Sequence, residues 1–121
     1  MMNHNYCGGE NYLIALGETR VIAQFISYLE NGDEHSKETL ELYRDYLTQL
    51  LEYFVQYAST VHKKPFWRNL DKSVAVNYNS YLYGEGDTQE MITDKLAVIT
   101  SFFNYMLSSG TLEINPLEDI Y

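Results

Sequence analysis

The chain has 121 residues, which is enough for one domain with a single modest core. One cysteine, no stretch of about 18 apolar residues and no signal-peptide pattern argue against a disulfide framework, a membrane span and export, so we predict a cytoplasmic protein. The formal net charge of −9 disfavours a general binder of polyanions.

The amino-terminal part predicts an arm followed by a first helix. Residues 1–18 include the pair Gly8-Gly9 and show no clear apolar periodicity, so we predict a flexible arm. Residues 19–121 are predicted to form one helical domain. The first helix is predicted over residues 19–31, and Asn31-Gly32 would end it. Its apolar face is formed by Val21, Ile22, Phe25, Ile26 and Leu29.

Three further helices follow, each with a recognisable boundary. Ser36 is a predicted N-cap for a helix over residues 36–61, and Pro65 limits its extension. A third helix is predicted over residues 71–83. The fourth is predicted over residues 88–109, with Asp87 or Thr88 at its start and Gly110 as its cap. Four helices with short connections predict an all-α bundle.

Positive charge is concentrated in one stretch, HKKPFWRNLDK, from His62 to Lys72. This stretch carries four of the eight Lys and Arg residues and one acid. Trp67 lies inside it, and packing against the bundle is a better interpretation of this residue than stacking on a base. If this stretch binds a phosphate backbone, changing Glu10 and Glu18, on the amino-terminal side, is not expected to weaken that binding.

No catalytic or metal-binding arrangement is evident. A nucleophile needs a base that a third group orients, and Cys7 in the predicted arm has no such neighbours. His4, His35 and His62 match no metal-binding spacing. Gly84-Glu85-Gly86 is better explained as a turn than as a phosphate loop, because no strand precedes it. We therefore predict no catalytic residue, no metal ion and no cofactor for this chain.

Two stretches resemble a known family. SKETLELYRDYL, from Ser36 to Leu47, has the family spacing S-x-x-T-x-x-x-Y-x-x-x-L. DTQEMITDKLAVITSFFNYMLSSGTLEINPLEDI, from Asp87 to Ile120, has a capped helix with a paired Phe, then a glycine and Asn-Pro. Together they resemble the N-terminal core-binding domain of tyrosine recombinases, the SAM-like module of phage integrases. The resemblance implies an all-α, four-helix orthogonal bundle.

The resemblance also implies a function. In the family, Asn-Pro closes the core-binding bundle, and a linker leads to the domain whose Arg, Lys, His and Tyr residues cleave and rejoin DNA. On this basis the catalytic domain is absent here, Tyr121 is not a nucleophile, and the chain is not itself an enzyme. Its implied partners are double-stranded DNA, bound weakly by the isolated domain, and other recombinase protomers on DNA. We expect a monomer in isolation and no membrane partner.

The candidate DNA contacts combine the basic stretch with residues of the second and fourth helices, which face DNA in the family. These candidates are Lys37, Arg44, Lys63, Lys64, Arg68, Lys72, Thr88, Gln89, Lys95 and Thr100. The surplus of acids leaves an alternative open. In that alternative the chain is an acidic helical interaction domain, with the same bundle and no DNA binding.

Overall fold

The structure is a computed structural model that describes residues 4–32 and 34–116, with side chains from residue 10 onward. Its four helices are α1 (His4–Asn31), α2 (Lys37–Thr60), α3 (Lys72–Gly84) and α4 (Gln89–Ser109), and a short 3₁₀ helix covers Trp67–Asn69. The described residues contain no β-strand, so the predicted all-α class is confirmed. Tyr121 and the side chains of His4 and Cys7 lie outside the described part.

The caps of α2 and α4 form where the sequence predicts them. The Ser36 hydroxyl accepts a hydrogen bond from the amide of Thr39 at 3.1 Å. The Thr88 hydroxyl accepts one from the amide of Met91 at 3.1 Å. Gly110 ends α4 in the left-handed conformation, with φ of 85°. Each cap satisfies backbone groups that the helix leaves without partners, so the boundaries are fixed locally.

The structure differs from the predicted arm at residues 4–18, because α1 begins at His4 and not at residue 19. Polar contacts hold this part of α1 against the rest of the chain. The buried Asn11 amide donates to the Ser59 hydroxyl of α2 at 3.0 Å. Glu18 accepts hydrogen bonds from Trp67. Apolar periodicity is a poor guide to a segment that is anchored by an amide and a carboxylate.

The core lies where the apolar faces of all four helices meet. Trp67, from the connection between α2 and α3, is fully buried in it. Its ring centroid lies 6.0 Å from that of Phe54 on α2 and 5.1 Å from that of Phe102 on α4. Phe25 of α1 reaches the same Phe102 ring at 5.3 Å. The packing interpretation of Trp67 is thus confirmed, and its burial draws the connection onto the bundle.

The chain leaves α2 through a left-handed turn. His62 has φ of 58°, and the amide of Lys63 donates to the carbonyl of Ala58 at 2.9 Å. This is the hydrogen bond of a Schellman cap, in which a left-handed residue reverses the chain after the last helical turn. Pro65 then lies buried against the bundle. The turn fixes the direction in which the following lysines leave the helix.

Candidate nucleic-acid interface

Residues 62–72, here called the basic segment, join α2 to α3. Their anchor is Trp67, whose amide donates to the Glu18 carboxylate at 2.6 Å and whose indole N–H donates to the Glu18 carbonyl at 3.0 Å. With the tryptophan held inside, Lys63, Lys64 and Arg68 remain exposed and line one shallow basin on the surface. The sequence prediction that these cations cluster is therefore realised in space.

Local contacts hold the basin in shape. The Arg68 guanidinium lies 4.1 Å from the centroid of the Phe66 ring. The Asn69 side chain donates to the Lys64 carbonyl at 2.9 Å, and the Phe66 amide donates to the same carbonyl at 2.9 Å. An arginine that already lies over a ring loses less side-chain freedom on binding an anion. The basin therefore offers positive charge on a partly preorganised surface.

Two of the lysines are paired with acids on the surface. The Lys63 ammonium lies 2.7 Å from the Asp71 carboxylate, and these side chains are 43% and 45% exposed. Lys64 pairs with Glu10 of α1. Exposed pairs of this kind contribute little to stability, so a phosphate can compete for the lysines. Glu10 and Glu18 both contact the basic segment, so these acids of the amino-terminal side lie close to the predicted phosphate contacts.

The contact between Lys63 and Asp71 shifts the pKa of both side chains. Partial burial raises the pKa of the Asp71 carboxyl, but hydrogen bonds from Lys63 and from the amides of Val74 and Ser73 outweigh it, so the net pKa is lowered. The hydrogen bond to Asp71 raises the pKa of Lys63. Both groups are therefore charged across the physiological range. Asp71 is also the N-cap of α3, where its carboxylate accepts a hydrogen bond from the amide of Val74 at 3.2 Å.

Lys72 extends the basic surface towards the carboxyl-terminal part of the chain. It is exposed at the first position of α3 and lines a cleft together with Arg68. The other wall of this cleft is formed by residues 112–116, which follow α4. Leu112 and Pro116 are buried there, and Glu113 adds one acid. The segment beyond α4 thus lies beside the basic segment.

The structure speaks against the predicted DNA contact of Lys95, because this residue is buried. Its ammonium lies 2.6 Å from the Asp87 carboxylate and donates to the Gln49 side chain at 2.8 Å. It also lies 5.6 Å from the centroid of the Tyr46 ring. Position 95 is three residues after the buried Ile92, so it falls on the apolar stripe of α4. That spacing could have identified Lys95 as an internal residue.

The remaining cationic candidates lie on α2. Lys37 and Arg44 are exposed, and they share the first turns of the helix with the exposed acids Glu38, Glu41 and Asp45. On α4, Lys95 is the only cation, so the exposed surface of this helix carries acids and neutral side chains. Neither helix offers a concentration of positive charge like that of the basic segment.

The polar candidates each make a hydrogen bond within the fold. Thr88 is the N-cap of α4. Gln89 accepts from the hydroxyl of Tyr83. The Thr100 hydroxyl donates to the Leu96 carbonyl at 2.8 Å. These contacts account for the three residues without DNA, and a role in binding would be additional.

The described residues show no arrangement for metal chemistry. No group of three or more His, Cys, Asp or Glu residues between positions 4 and 116, Asp33 apart, is placed to hold a metal ion. Within the same described part, no helix is long and apolar enough to cross a membrane.

These features define a small all-α domain whose exposed positive charge is concentrated in one turn. The family described as phage integrase, N-terminal SAM-like domain, matches residues 22–110, and the chain belongs to this family. A tyrosine recombinase of Thermosipho africanus is 27% identical over 101 residues, which cover 84% of this chain and 34% of the relative. A protein of Caldanaerobacter subterraneus, whose name assigns it to the tyrosine recombinases, is 28% identical over 96 residues, covering 79% and 31%. The chain thus spans about a third of the length of these curated relatives. No solved structure matches it.

Proposed function

We propose that this chain is the DNA-binding module of a tyrosine-type site-specific recombinase or integrase. It holds one face of the duplex at the recombination site, while a separate carboxyl-terminal domain cleaves and joins the strands. Family membership supports the class of protein. The observation that supports the binding role is the basin formed by Lys63, Lys64 and Arg68, in which three exposed cations lie on one turn.

The basin is suited to phosphate contacts. Phosphate oxygens within a Debye length, roughly 8 Å at physiological salt, interact with the nearby cations more strongly than with distant acids. A phosphate that replaces Asp71 or Glu10 as the partner of a lysine exchanges one ion pair for another. This exchange limits the net gain, so the isolated domain is expected to bind weakly. Contacts of this kind position a protein on DNA without reading its sequence.

The other candidates have a secondary role in this proposal. Lys37 and Arg44 on α2 would contact a second stretch of backbone, and the acids beside them weaken that contact. Thr88, Gln89 and Thr100 remain predicted contacts that carry no charge. Lys72 and the cleft beside residues 112–116 continue the basic surface, so a duplex held at the basin would also lie near Pro116.

A matched pair of triple variants tests the binding role. One variant replaces Lys63, Lys64 and Arg68 with Gln, and the other replaces the exposed cations Arg20, Lys37 and Arg44 with Gln. Each variant removes three positive charges from a chain whose formal net charge is −9. A difference in DNA affinity between the two variants therefore depends on where the cations lie and not on the total charge. Glutamine is preferable to glutamate here because it places no like charge beside Asp71 and Glu10.

Fluorescence anisotropy with a labelled duplex at several salt concentrations gives the affinity and the salt slope. We expect the parent to bind with a Kd on the order of 10⁻⁶–10⁻⁴ M. Loss of the basin cations should weaken binding more than loss of the other three, and the slope should fall by about 0.9 for each lost phosphate contact. The reverse order would place the DNA face on α1 and α2. Absence of binding by the parent at low salt would favour the interaction-domain alternative.

The proposal also predicts that the chain alone leaves DNA intact. Supercoiled plasmid should keep its topology after incubation with the pure protein, because catalysis belongs to a separate domain in this proposal. Nicking accompanied by a covalent protein–DNA adduct would contradict it.

A further inference from the structure

The amino-terminal half of α1 has two different faces. The face towards α2 is formed by Asn11, which donates to Ser59, and by the partly buried Ala15. Away from this face, three large apolar side chains point into solvent: Tyr12, Leu13 and Leu16 are 62%, 68% and 50% exposed. Single exposed apolar residues are ordinary on a protein surface, but three within five residues form a patch.

This patch continues into a groove between α1 and α2. Tyr12 and Leu16 form one wall, Val55 forms part of the other, and Leu51, which is almost fully buried, lies beneath them. The groove has a volume of about 610 Å³. Among the side chains that the structure describes, Glu52 is the only charged one that lines it. Three uncharged polar side chains also line it. Amphipathic helices of other proteins bind in grooves between helices whose walls are largely apolar.

The α1 wall of the groove is not part of the family match. That match begins at residue 22, whereas the wall is formed by residues 12–19. The bundle does not use the outward side chains for its own packing, since the inward contacts are made by Asn11, Ala15 and Glu18. The outward side chains of the wall therefore leave an apolar surface open to another molecule.

The surroundings of Glu52 favour a cation. Beyond Glu52 lies a group of tyrosine rings on α2 and α3, with the Tyr53 centroid 4.8 Å from that of Tyr81 and 6.1 Å from that of Tyr57. Burial, followed by the negative charges of Glu85 and Glu52, raises the pKa of Tyr81, so both carboxylates lie near this ring. Ring faces and carboxylates together attract ammonium and guanidinium groups.

We propose that the groove between α1 and α2 binds a cationic amphipathic helix of a partner protein. Its apolar side chains would lie against Tyr12, Leu16 and Val55, and its Lys or Arg side chains would reach Glu52 and the tyrosine rings. A second copy of this chain is the less suitable occupant. Each copy carries a net charge of −9, so two copies repel each other, and a symmetric contact would bring two Glu52 side chains together.

A synthetic peptide provides the probe. Its helix carries leucine at positions i, i+3, i+4 and i+7 and lysine at the positions that flank this stripe, where the ammonium groups can reach Glu52. A control peptide has glutamate in place of lysine. Nitrogen–proton NMR spectra of the full chain should shift at residues 12–19 and 48–56 when the lysine peptide is added. The glutamate peptide should bind at least about tenfold more weakly, because its charge matches that of the protein.

Variants connect the binding to the groove. Leu16→Ser should lower the affinity for the lysine peptide by about fivefold or more, and Glu52→Gln should lower it by a smaller factor. Val76→Ser removes an exposed apolar side chain of α3 and should leave the affinity for the lysine peptide unchanged. The proposal is overturned if the shifts map elsewhere, if both peptides bind equally, or if neither binds. It is also overturned if sedimentation shows self-association of the parent that Leu16→Ser abolishes, because a second copy would then occupy the groove.

Discussion

Replacement of Lys95 with methionine tests whether this residue is an internal support or a DNA contact. The Lys95 and Asp87 side chains are only 7% and 11% exposed, and their charged atoms lie 2.6 Å apart. Lys95 also donates to Gln49, so it connects α4 to α2 and to the turn before α4. Methionine has a similar length and fills the same space, so the change removes the charge without opening a large cavity.

The expected cost follows from the charge that is left behind. Removing one partner of a buried ion pair costs about 3–5 kcal/mol, because the other charge stays buried without compensation. Asp87 lies in a short turn and keeps some contact with water, which places the cost near the lower end, at about 3 kcal/mol. For a domain of this size that corresponds to a fall in Tm of roughly 10 °C. Adding Asp87→Asn removes the stranded charge and should recover about 2 kcal/mol of the loss.

Urea unfolding followed by far-ultraviolet circular dichroism measures these differences. Lys37→Met makes the same replacement at an exposed cation of α2 and should leave the stability unchanged within error. At a temperature where Lys95→Met is still folded, its affinity for DNA should equal that of the parent. The argument fails if Lys95→Met is as stable as the parent. It also fails if the double variant loses as much stability as Lys95→Met and Asp87→Asn lose together.

Two other features give measurable stability effects. Gly110→Ala should destabilise the domain by about 1 kcal/mol, because φ is 85° at this position. No neighbouring atom lies within 4 Å of the added methyl group, so the cost comes from the backbone conformation and not from a clash. His62→Gly should stabilise the domain by about 0.5 kcal/mol, since φ at position 62 is 58°. Thermal unfolding should therefore show a lower Tm for Gly110→Ala and a higher Tm for His62→Gly than for the parent. The lowered pKa of Asp71 contributes stability above its unfolded pKa of about 3.9, and this contribution is lost as the pH falls through the folded value. The stability difference between the parent and Asp71→Asn should therefore be largest near neutral pH and shrink in acid, and equal differences at both ends of the titration would contradict the assignment.

The helix boundaries that the sequence predicts well are those set by neighbouring residues. Ser36, Thr88 and Gly110 act on backbone groups within the next or preceding turn, so a local pattern contains all the information needed. Lys95 shows the opposite case. Its charge suggests an exposed residue, but its spacing from Ile92 places it on the buried stripe, and Asp87 makes that position tolerable. Where charge and periodicity disagree, periodicity is the better guide if an opposite charge lies within reach.

The candidate site depends on contacts that no local pattern contains. The sequence shows that cations gather in residues 62–72, but two acids that contact this segment come from α1. Glu10 pairs with Lys64, 54 residues away, and Glu18 accepts a hydrogen bond from Trp67, 49 residues away. Glu18 holds Trp67 inward and so turns the lysines outward, whereas Glu10 neutralises one of them. The same helix therefore presents the basin and limits its charge. An acidic domain with a basic turn of this kind is suited to hold DNA weakly by itself and firmly only with a second domain on the same duplex, which is the division of labour proposed here.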